Sequence, residues 1–253
     1  MKVSIAVATL LIYCPLLMSQ EGGPPIPYVD TTSSQNHQYE LIVRGTSYED
    51  GRTGPQKISL HRSNGTKLWS KASDGSGFMP IVSNRGDVTV CKDFKLIIFD
   101  KKGSTKGTCD LSPRGYLTDD SNTDDFNLLQ SFSPNAKYYY ILLGSPDSVW
   151  LLVLSDSAKE LHRESLGAFH PRRNNLLVYK DKVIAFDSFP WSDPDYKERC
   201  CAFDKLGTLI WEYDQQATGG ESWKWIVKFD QRKGILTVTD GANKNVFDVN
   251  TLE

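Results

Sequence analysis

The chain has 253 residues, of which 24% are charged and 39% hydrophobic, and its formal net charge is −2. A net charge this close to zero excludes a charge-driven affinity for nucleic acid or for an anionic membrane surface. The length and composition are those of one sizeable globular domain.

The first 19 residues have the pattern of a secretory signal peptide. The basic residue Lys2 is followed by an apolar run over residues 3–18 and then by the small residue Ser19. We therefore predict cleavage after Ser19 and a secreted or periplasmic protein with no membrane span once the signal is removed. An uncleaved membrane anchor is the alternative, although the run is short for a span.

Residues 20–36 are predicted to be a linker, because Gly, Pro, Ser and Thr dominate them. Residues 26–31 within this segment could instead pair as a strand. The folded domain is predicted over residues 37–253.

A hairpin pattern recurs along this domain and is clearest over residues 200–211. An apolar run is followed there by Asp-x-x-Gly and then by a second apolar run that ends in Trp. This is the pattern of a strand, a tight turn and a second strand. Weaker copies occur over residues 58–69, 96–103, 151–158 and 246–251.

The spacing of these hairpins indicates the architecture. A second strand–turn–strand pattern falls between them, over residues 82–87, 131–138 and 228–234, so one unit contains four strands, here named A to D in chain order. A period of roughly 40–50 residues made of strands is typical of propeller blades. The hairpin turn residues Gly65, Gly103, Ala158, Gly207 and Thr251 are separated by 38, 55, 49 and 44 residues.

Two of these turns carry a resemblance to known families. The turn Ser133-Pro134-Asn135 resembles the inner turn of WD40-like propellers, and the Phe-Asp-x-x-Gly-x-x-x-Trp hairpin that begins at Phe203 resembles the repeat of quinoprotein-like propellers. The resemblance implies an all-β fold, a single β-propeller, and the repeats along the chain indicate five blades of four-stranded antiparallel sheet. A six-blade ring is the alternative. Quinoprotein enzymes use a dedicated cofactor site that nothing here matches, so no cofactor is predicted.

Two tryptophans have a predicted structural role in the repeat. Trp69 and Trp211 each follow their turn glycine, Gly65 or Gly207, by four residues (69 − 65 and 211 − 207). A fixed position in a repeat predicts packing between blades, and Gly103 is expected to form the equivalent turn of the second blade. The first blade lacks an obvious A strand, and the fifth lacks a D strand.

Strand alternation predicts on which face a partner binds. In an up-and-down blade the A–B and C–D turns emerge on one face, and the B–C and D–A connections emerge on the other. Long loops on a rigid scaffold usually carry binding residues. The alternative is that the loops on this face became longer during evolution without any function. All the long connections, predicted over residues 45–56, 112–125, 188–198 and 214–222, belong to the second group.

Aromatic and acidic residues of these connections form the candidate partner face. Aromatic rings beside carboxylates suit peptides or sugars, whereas a loop that packs its own Trp as a lid is the alternative. The candidate residues are Tyr48, Asp50, Asp119, Asp124, Trp191, Asp195, Tyr196, Glu221 and Trp223.

One acidic stretch has a weak resemblance to a calcium loop. Asp120, Asn122 and Asp124 alternate as hard-cation ligands do. The stretch departs from the calcium pattern, because Asp125 stands where a Gly is required and no Glu follows at the twelfth position. A solvated acidic loop is the default interpretation, and calcium is the alternative.

Four cysteines follow the predicted cleavage site. Cys91 and Cys109 fall on strands B and D of one blade, about 9–10 Å apart, which is too far for a disulfide. Cys200 and Cys201 are neighbours on one strand and point to opposite faces. We therefore expect all four to be small buried side chains rather than disulfide partners or zinc ligands.

The sequence contains none of the common catalytic motifs, and its four histidines are scattered. The favoured hypothesis is an exported, non-catalytic module that binds a protein, peptide or glycan at the long-loop face. The alternative is a glycan-active hydrolase with paired carboxylates at the channel mouth, which leaves no sequence signature. An acid pair on the inner strands would favour the hydrolase.

Overall fold

The computed structural model describes residues 24–48, 54–73, 79–92, 95–111, 127–145, 148–169, 175–187, 197–216, 225–240 and 243–252. Nineteen β-strands account for most of these residues, and the only helical element among them is a 3₁₀ turn at Val249–Thr251. No helix in this part of the chain is long and apolar enough to cross a bilayer.

The strands form five antiparallel sheets, each of which follows chain order, so that every strand pairs with its sequence neighbour. Blade 1 contains β1 (Ile26–Ser33), β2 (Tyr39–Ser47), β3 (Gln56–Arg62) and β4 (Lys67–Ser73). Blade 2 contains β5 (Ile81–Val82), β6 (Val88–Lys92), β7 (Lys95–Phe99) and β8 (Thr105–Asp110). Blade 3 contains β9 (Asn127–Phe132), β10 (Tyr138–Ser145), β11 (Ser148–Ser155) and β12 (Glu160–Gly167). Blade 4 contains β13 (Leu176–Tyr179), β14 (Lys182–Phe186), β15 (Lys197–Asp204) and β16 (Leu209–Gln216). Blade 5 contains β17 (Trp225–Asp230), β18 (Ile235–Asp240) and β19 (Asn243–Asp248).

The hydrophobic pattern explains how the sheets stack. In blade 3 the central strands are apolar on both faces, with the runs Tyr139–Leu143 and Leu151–Leu154 fully buried, because a sheet flanks each side. In blade 1 the burial alternates instead, so that Leu41, Val43 and Leu60 are buried while their neighbours are polar or partly exposed. A strand covered on one face alternates, whereas a strand covered on both faces is apolar throughout.

Four hydrophobic clusters lie between successive sheets, joining blade 1 to 2, 2 to 3, 3 to 4 and 4 to 5. The first strands of blades 1 to 4 contact one another in order, from β1 to β5, β9 and β13. Sheets that pack face to face in sequence with their first strands at the centre form a β-propeller. The predicted all-β propeller of five blades is confirmed. Among the described residues, no such cluster joins blade 5 to blade 1.

The first blade differs from the sequence interpretation in one element. Ile26–Ser33 forms β1 and pairs with β2 along its whole length, from Ile26 opposite Ser47 to Ser33 opposite Glu40. These residues are therefore the A strand of blade 1 rather than part of a linker. Their composition resembles a linker because half of the eight residues of β1 are polar and none of them is fully buried. Blade 5 has no D strand among the described residues, and residues 1–23, which include the predicted signal peptide, lie outside them.

The cysteines have the expected environment. All four are buried as thiols. Cys91 and Cys109 lie opposite Leu96 on its two sides, so strand β7 separates them. This is the arrangement that makes the two cysteines too distant for a disulfide. Burial raises the pKa of Cys201 to about 12, so this thiol is protonated, and therefore unreactive, at neutral pH.

Candidate functional site

The described strand ends define two faces of the ring. We call the end that carries the A–B and C–D turns the turn face, and the end that carries the B–C and D–A connections the loop face. The turn face has only short turns, at 34–38, 63–66, 83–87, 100–104, 133–137, 156–159, 180–181, 205–208 and 231–234. The long connections, at 48–55, 74–80, 111–126, 168–175, 187–196 and 217–224, all leave from the loop face. Three of the predicted loops overlap neighbouring strands, because Gly45 lies inside β2, Glu198 inside β15 and Asp214 inside β16.

Hydrogen bonds between blades show that the turns of successive blades share one face. The backbone N–H of Asn36 donates to Asn84 Oδ1 at 2.8 Å, and Asn84 Nδ2 donates to the carbonyl oxygen of Pro134 at 2.9 Å. These three residues belong to the A–B turns of blades 1, 2 and 3. Long connections that leave the opposite ends of the strands of these three blades must therefore emerge on one face.

Most of the predicted partner residues lie outside the described part of the chain. Tyr48 is described: it follows β2 directly, is half-buried, and packs its ring beside the buried Gly54. The predicted residues outside the described ranges are Asp50, Asp119, Asp124, Trp191, Asp195, Tyr196, Glu221 and Trp223, together with Asp120 and Asn122 of the calcium hypothesis.

The base of the blade 1 connection is closed by direct contacts. The N–H of Gly54 donates to the carbonyl of Thr46 at 2.8 Å, which joins the two ends of the connection. Beneath them, Gln56 Nε2 donates to the hydroxyl of Tyr28 at 2.6 Å. A side chain at Gly45 would meet this pair at about 3 Å, so the strand needs glycine for close approach.

A hydrogen-bonded cluster around the buried Asp187 holds the base of the blade 4 connection. Asp187 is fully buried and accepts a hydrogen bond from the backbone N–H of Arg199 at 3.0 Å. The Arg199 side chain donates to Glu212 Oε1 at 2.6 Å and to the carbonyl oxygen of Leu166 in blade 3. Connection 187–196 therefore leaves from a base that is fixed within its own sheet and to the neighbouring blade.

The inner strands line a central channel. Its larger cavity, of about 500 Å³, is bounded by blades 3, 4 and 5 and by the first turn of blade 1. Apolar side chains such as Leu177, Val227 and Phe229 form part of the wall. The polar groups that line it are Gln35, Ser131, Asn175 and Gln231, and none of the described residues lining this cavity carries a carboxylate. The acid pair that the hydrolase hypothesis requires is therefore not found among the described lining residues.

One amide of the channel is fixed in direction. Asn175 is only 4% exposed, and its Nδ2 donates to the carbonyl oxygen of Phe186 at 2.8 Å. This bond orients the side chain, whose other polar atom, Oδ1, is an acceptor. The channel can therefore offer hydrogen bonds to a neutral ligand without placing a charge beside it.

A second polar group at the channel wall joins blades 2 and 3. Gln130 Oε1 accepts hydrogen bonds from the hydroxyls of Thr89, at 3.1 Å, and of Tyr139. Burial raises the pKa of Tyr139 far above its ordinary value, so this phenol stays protonated and serves as a donor. The network has a structural role and contributes no base or nucleophile.

Metal-binding groups are scarce in the part of the chain that the structure describes. No three His, Cys, Asp or Glu side chains come together there as ligands. The residues of the calcium hypothesis lie elsewhere, so that hypothesis remains a prediction from sequence.

The channel amides were missed in the sequence interpretation, although the sequence contains a signal for them. Gln35, Asn84 and Gln231 each lie near the start of an A–B turn, directly after Ser34, Ser83 or Asp230. Each of the three lines a channel cavity. An amide repeated near the start of a propeller turn therefore indicated the rim of the channel.

The turn face contains an ionic clamp between blades. Lys106 Nζ contacts Asp87 Oδ2 at 3.2 Å and Asp156 Oδ2 at 3.1 Å, so one cation joins the turns of blades 2 and 3. Burial raises the pKa of Asp87 above its ordinary value, and the ammonium of Lys106 opposes that rise. The clamp keeps a buried carboxylate ionised at neutral pH.

Lys106→Met is expected to lower the free energy of unfolding by about 1–2 kcal/mol at pH 7 and by less at pH 4. Without the ammonium the pKa of Asp87 rises further. A carboxyl with a raised folded-state pKa contributes stability at low pH and loses it as the pH rises through that pKa. Urea unfolding at both pH values measures the difference. Lys159→Met, at an exposed position of the blade 3 turn, is the control; an equal effect at both pH values would contradict the clamp.

Comparison with known proteins yields similarity in fold alone. No protein-family model matches the chain, and no curated protein matches it in sequence. The chain is similar in structure to the β-propeller domain of the Trilobed protease from Pyrococcus furiosus, with 10% identity, a TM-score of 0.49, and coverage of 89% of this chain and 72% of that one. It is also similar to the WD40 domain of SCAP from fission yeast, with 10% identity, a TM-score of 0.48, and coverage of 91% and 53%. For the WD40 domain of Toxoplasma gondii coronin, the identity is 8%, the TM-score 0.44, and the coverage 90% and 72%. At identities this low and TM-scores below 0.5, these similarities carry no information about function.

Proposed function

We propose that the protein is an exported, non-catalytic interaction module that binds a protein, peptide or glycan at its loop face. One observation carries the proposal: all the long connections leave from one end of the stacked sheets. The other end has only tight turns. Binding residues are usually found on long loops that a rigid scaffold supports.

Two features of the described residues support the loop face as the binding side. The base of connection 187–196 is held by the fully buried carboxyl of Asp187, which accepts a hydrogen bond from the backbone N–H of Arg199. Burial of an ionisable carboxyl costs the fold free energy, and a merely solvated loop does not require it. The turn face is occupied by contacts between blades, such as those of Asn84 and Lys106, which leave fewer groups for a partner.

The predicted aromatic residues provide the direct test. Trp191→Ala and Trp223→Ala are each expected to weaken binding about 30-fold, as buried aromatic anchors do, while changing the unfolding free energy little. Partners are first captured from the exported fraction with the mature protein and with a glycan array. Affinities of the captured partner for each variant are then measured by calorimetry.

The matched control is Leu206→Ala, which removes a large apolar side chain that is 43% exposed on the turn face. It should leave the affinity unchanged. If Leu206→Ala weakens binding and the tryptophan variants do not, the partner binds the turn face and the proposal is wrong.

Export and the absence of catalysis are tested separately. Mass spectrometry of the secreted protein should give a chain that begins at Gln20. Retention of residues 1–19 in a membrane fraction would instead indicate an anchor. Turnover of a glycan captured on the array would favour the hydrolase alternative.

A further inference from the structure

The outer edge of blade 5 differs from those of the other four blades. In blades 1 to 4 the outermost strand pair contains a register shift, at Leu60/His61, Ile98/Phe99, Val153/Leu154 and Ala202/Phe203. Such bulges twist an edge strand and hinder its pairing with another chain. The β18–β19 pair runs without a shift over all six of its matched positions, from Ile235 opposite Asp248 to Asp240 opposite Asn243, as do the equivalent second-to-third strand pairs of blades 1 to 4. In blade 5 this regular pair forms the outer edge within the described residues.

Strand β19 is also the only third strand of the five sheets that no fourth strand covers within the described residues. Its side chains divide cleanly between the two faces of the sheet. Asn245 and Phe247 face blade 4, where Asn245 Nδ2 donates to Tyr213 Oη at 2.8 Å and Phe247 packs 4.7 Å from Trp211. Lys244, Val246 and Asp248 are on the opposite face and are exposed, with Val246 at 56%.

The order Lys-x-Val-x-Asp on this exposed face is complementary to itself in the antiparallel direction. If two copies of β19 pair with Val246 opposite Val246, then Lys244 of each copy lies opposite Asp248 of the other. A shift that moves the partner strand by two residues loses both charge pairs and places Val246 opposite Lys244 or Asp248. Directly opposed residues of unlike charge stabilise an antiparallel pair, and like charges destabilise it.

From the open edge, the regular register and this complementarity we propose that β19 pairs with β19 of a second copy of the chain. The result is a two-fold symmetric dimer in which blade 5 continues across the axis as a six-stranded sheet. Backbone hydrogen bonds supply the affinity, as in other interactions by strand addition. Two Lys244–Asp248 pairs and the apolar Val246 contact at the axis fix the register, and the symmetry makes the contact self-complementary.

The test uses charge reversal in the mature full chain, with analytical ultracentrifugation across a range of protein concentrations. Lys244→Glu places two carboxylates opposite each other at both ends of the contact, and Asp248→Lys places two ammonium groups there. Each variant alone should therefore dimerise at least about tenfold more weakly than the original chain. A one-to-one mixture of the two variants restores opposite charges across the contact, so it should form a heterodimer with nearly the original affinity.

The mixture separates the interface from a folding defect. Asp248 also accepts a hydrogen bond from the N–H of Asn250 at 2.9 Å, so Asp248→Lys weakens a turn. Mixing cannot repair that turn, but it can repair the interface. Val246→Lys, which leaves the turn intact, should weaken the dimer as well, while Lys67→Glu on the outer edge of blade 1 should not. A chain that stays monomeric up to about 100 µM would overturn the proposal, as would a mixture no tighter than its components.

Discussion

Trp69→Ala is expected to lower the free energy of unfolding by about 3–5 kcal/mol, as large-to-small changes in a core do. The side chain is only 9% exposed and lies in the cluster between blades 1 and 2. Its ring is 6.0 Å from that of Phe99, and a side chain on Gly103 would meet it at 3.1 Å. Removal of the indole therefore opens a cavity between the sheets of blades 1 and 2, and the neighbouring side chains can fill little of it.

A matched variant separates volume from polarity at this position. The indole Nε1 of Trp69 is buried without a hydrogen-bond partner among the described residues. Trp69→Phe keeps an aromatic ring at this position and removes the unsatisfied donor. It should therefore lower the free energy of unfolding by less than about 1 kcal/mol. Equilibrium unfolding in urea compares the two variants. An equal loss for Phe and Ala would mean that the indole N–H has a partner and that its bond, rather than packing, stabilises the boundary.

Trp211 occupies the same repeat position but should contribute less. It is half-buried, stacks with Tyr213 of its own blade, and packs 4.7 Å from Phe247 of blade 5. Trp211→Ala is therefore expected to lower the free energy of unfolding by an amount at the low end of the range given for Trp69→Ala, about 3 kcal/mol. A loss below about 1 kcal/mol for both alanine variants would mean that neither residue joins blades.

The hairpins could be predicted from the sequence because their chemistry is local. Asp204 Oδ1 accepts hydrogen bonds from the N–H groups of Leu206 and Thr208, and Gly207 follows with φ of +91°. Asp100 repeats the same contacts with Lys102 and Ser104. The Asp-x-x-Gly pattern thus specifies its own turn, and together with the weaker copies of the hairpin it indicates the repeat on which the prediction of five blades rests.

The residues of strand β1 fit a linker as well as a strand, so the sequence alone left both interpretations open. It contains Pro27 and four polar residues out of eight, and it forms because β2 pairs with it and Tyr28 packs against the cluster of blades 1 and 2. The turn that follows did contain a usable signal. Ser34, Asn36 and Tyr39 have the spacing of Ser133, Asn135 and Tyr138, and both serines donate to the Asn side chain at 2.8 Å.

The channel could be predicted only in part, because closure of the ring brings its residues together. Gln35, Asn175 and Gln231 lie far apart in sequence yet line one cavity. Strand parity predicts which face a residue occupies, since each antiparallel pair reverses the chain. It cannot predict how side chains on different connections are arranged relative to one another, because no local pattern encodes those distances.

Gly107→Ala is the second change with a large expected effect, about 2–4 kcal/mol, because it overpacks a contact between two backbones. A β-carbon on Gly107 in blade 2 would lie 1.8 Å from the carbonyl oxygen of Ser157 in blade 3. That oxygen cannot easily withdraw. The N–H of Ser157 donates to Ser155 Oγ at 3.3 Å, and Ala158 next to it has φ of +62°. Either the turn or the whole of strand β8 must therefore shift.

Gly65→Ala is the matched control, because it tests backbone conformation without crowding. Gly65 has φ of +83°, and a β-carbon there would meet no atom within 4 Å. Gly65→Ala should lower the free energy of unfolding by about 1 kcal/mol, which is the cost of placing alanine at a positive φ without any steric contact. A shift at Gly107 would also displace its neighbour Lys106, whose ammonium contacts Asp87 and Asp156. The loss in Gly107→Ala should therefore be smaller when measured in a Lys106→Met background, since the two changes disturb one contact surface. Equal costs for Gly107→Ala and Gly65→Ala would show that the backbones of blades 2 and 3 are farther apart than the structure places them.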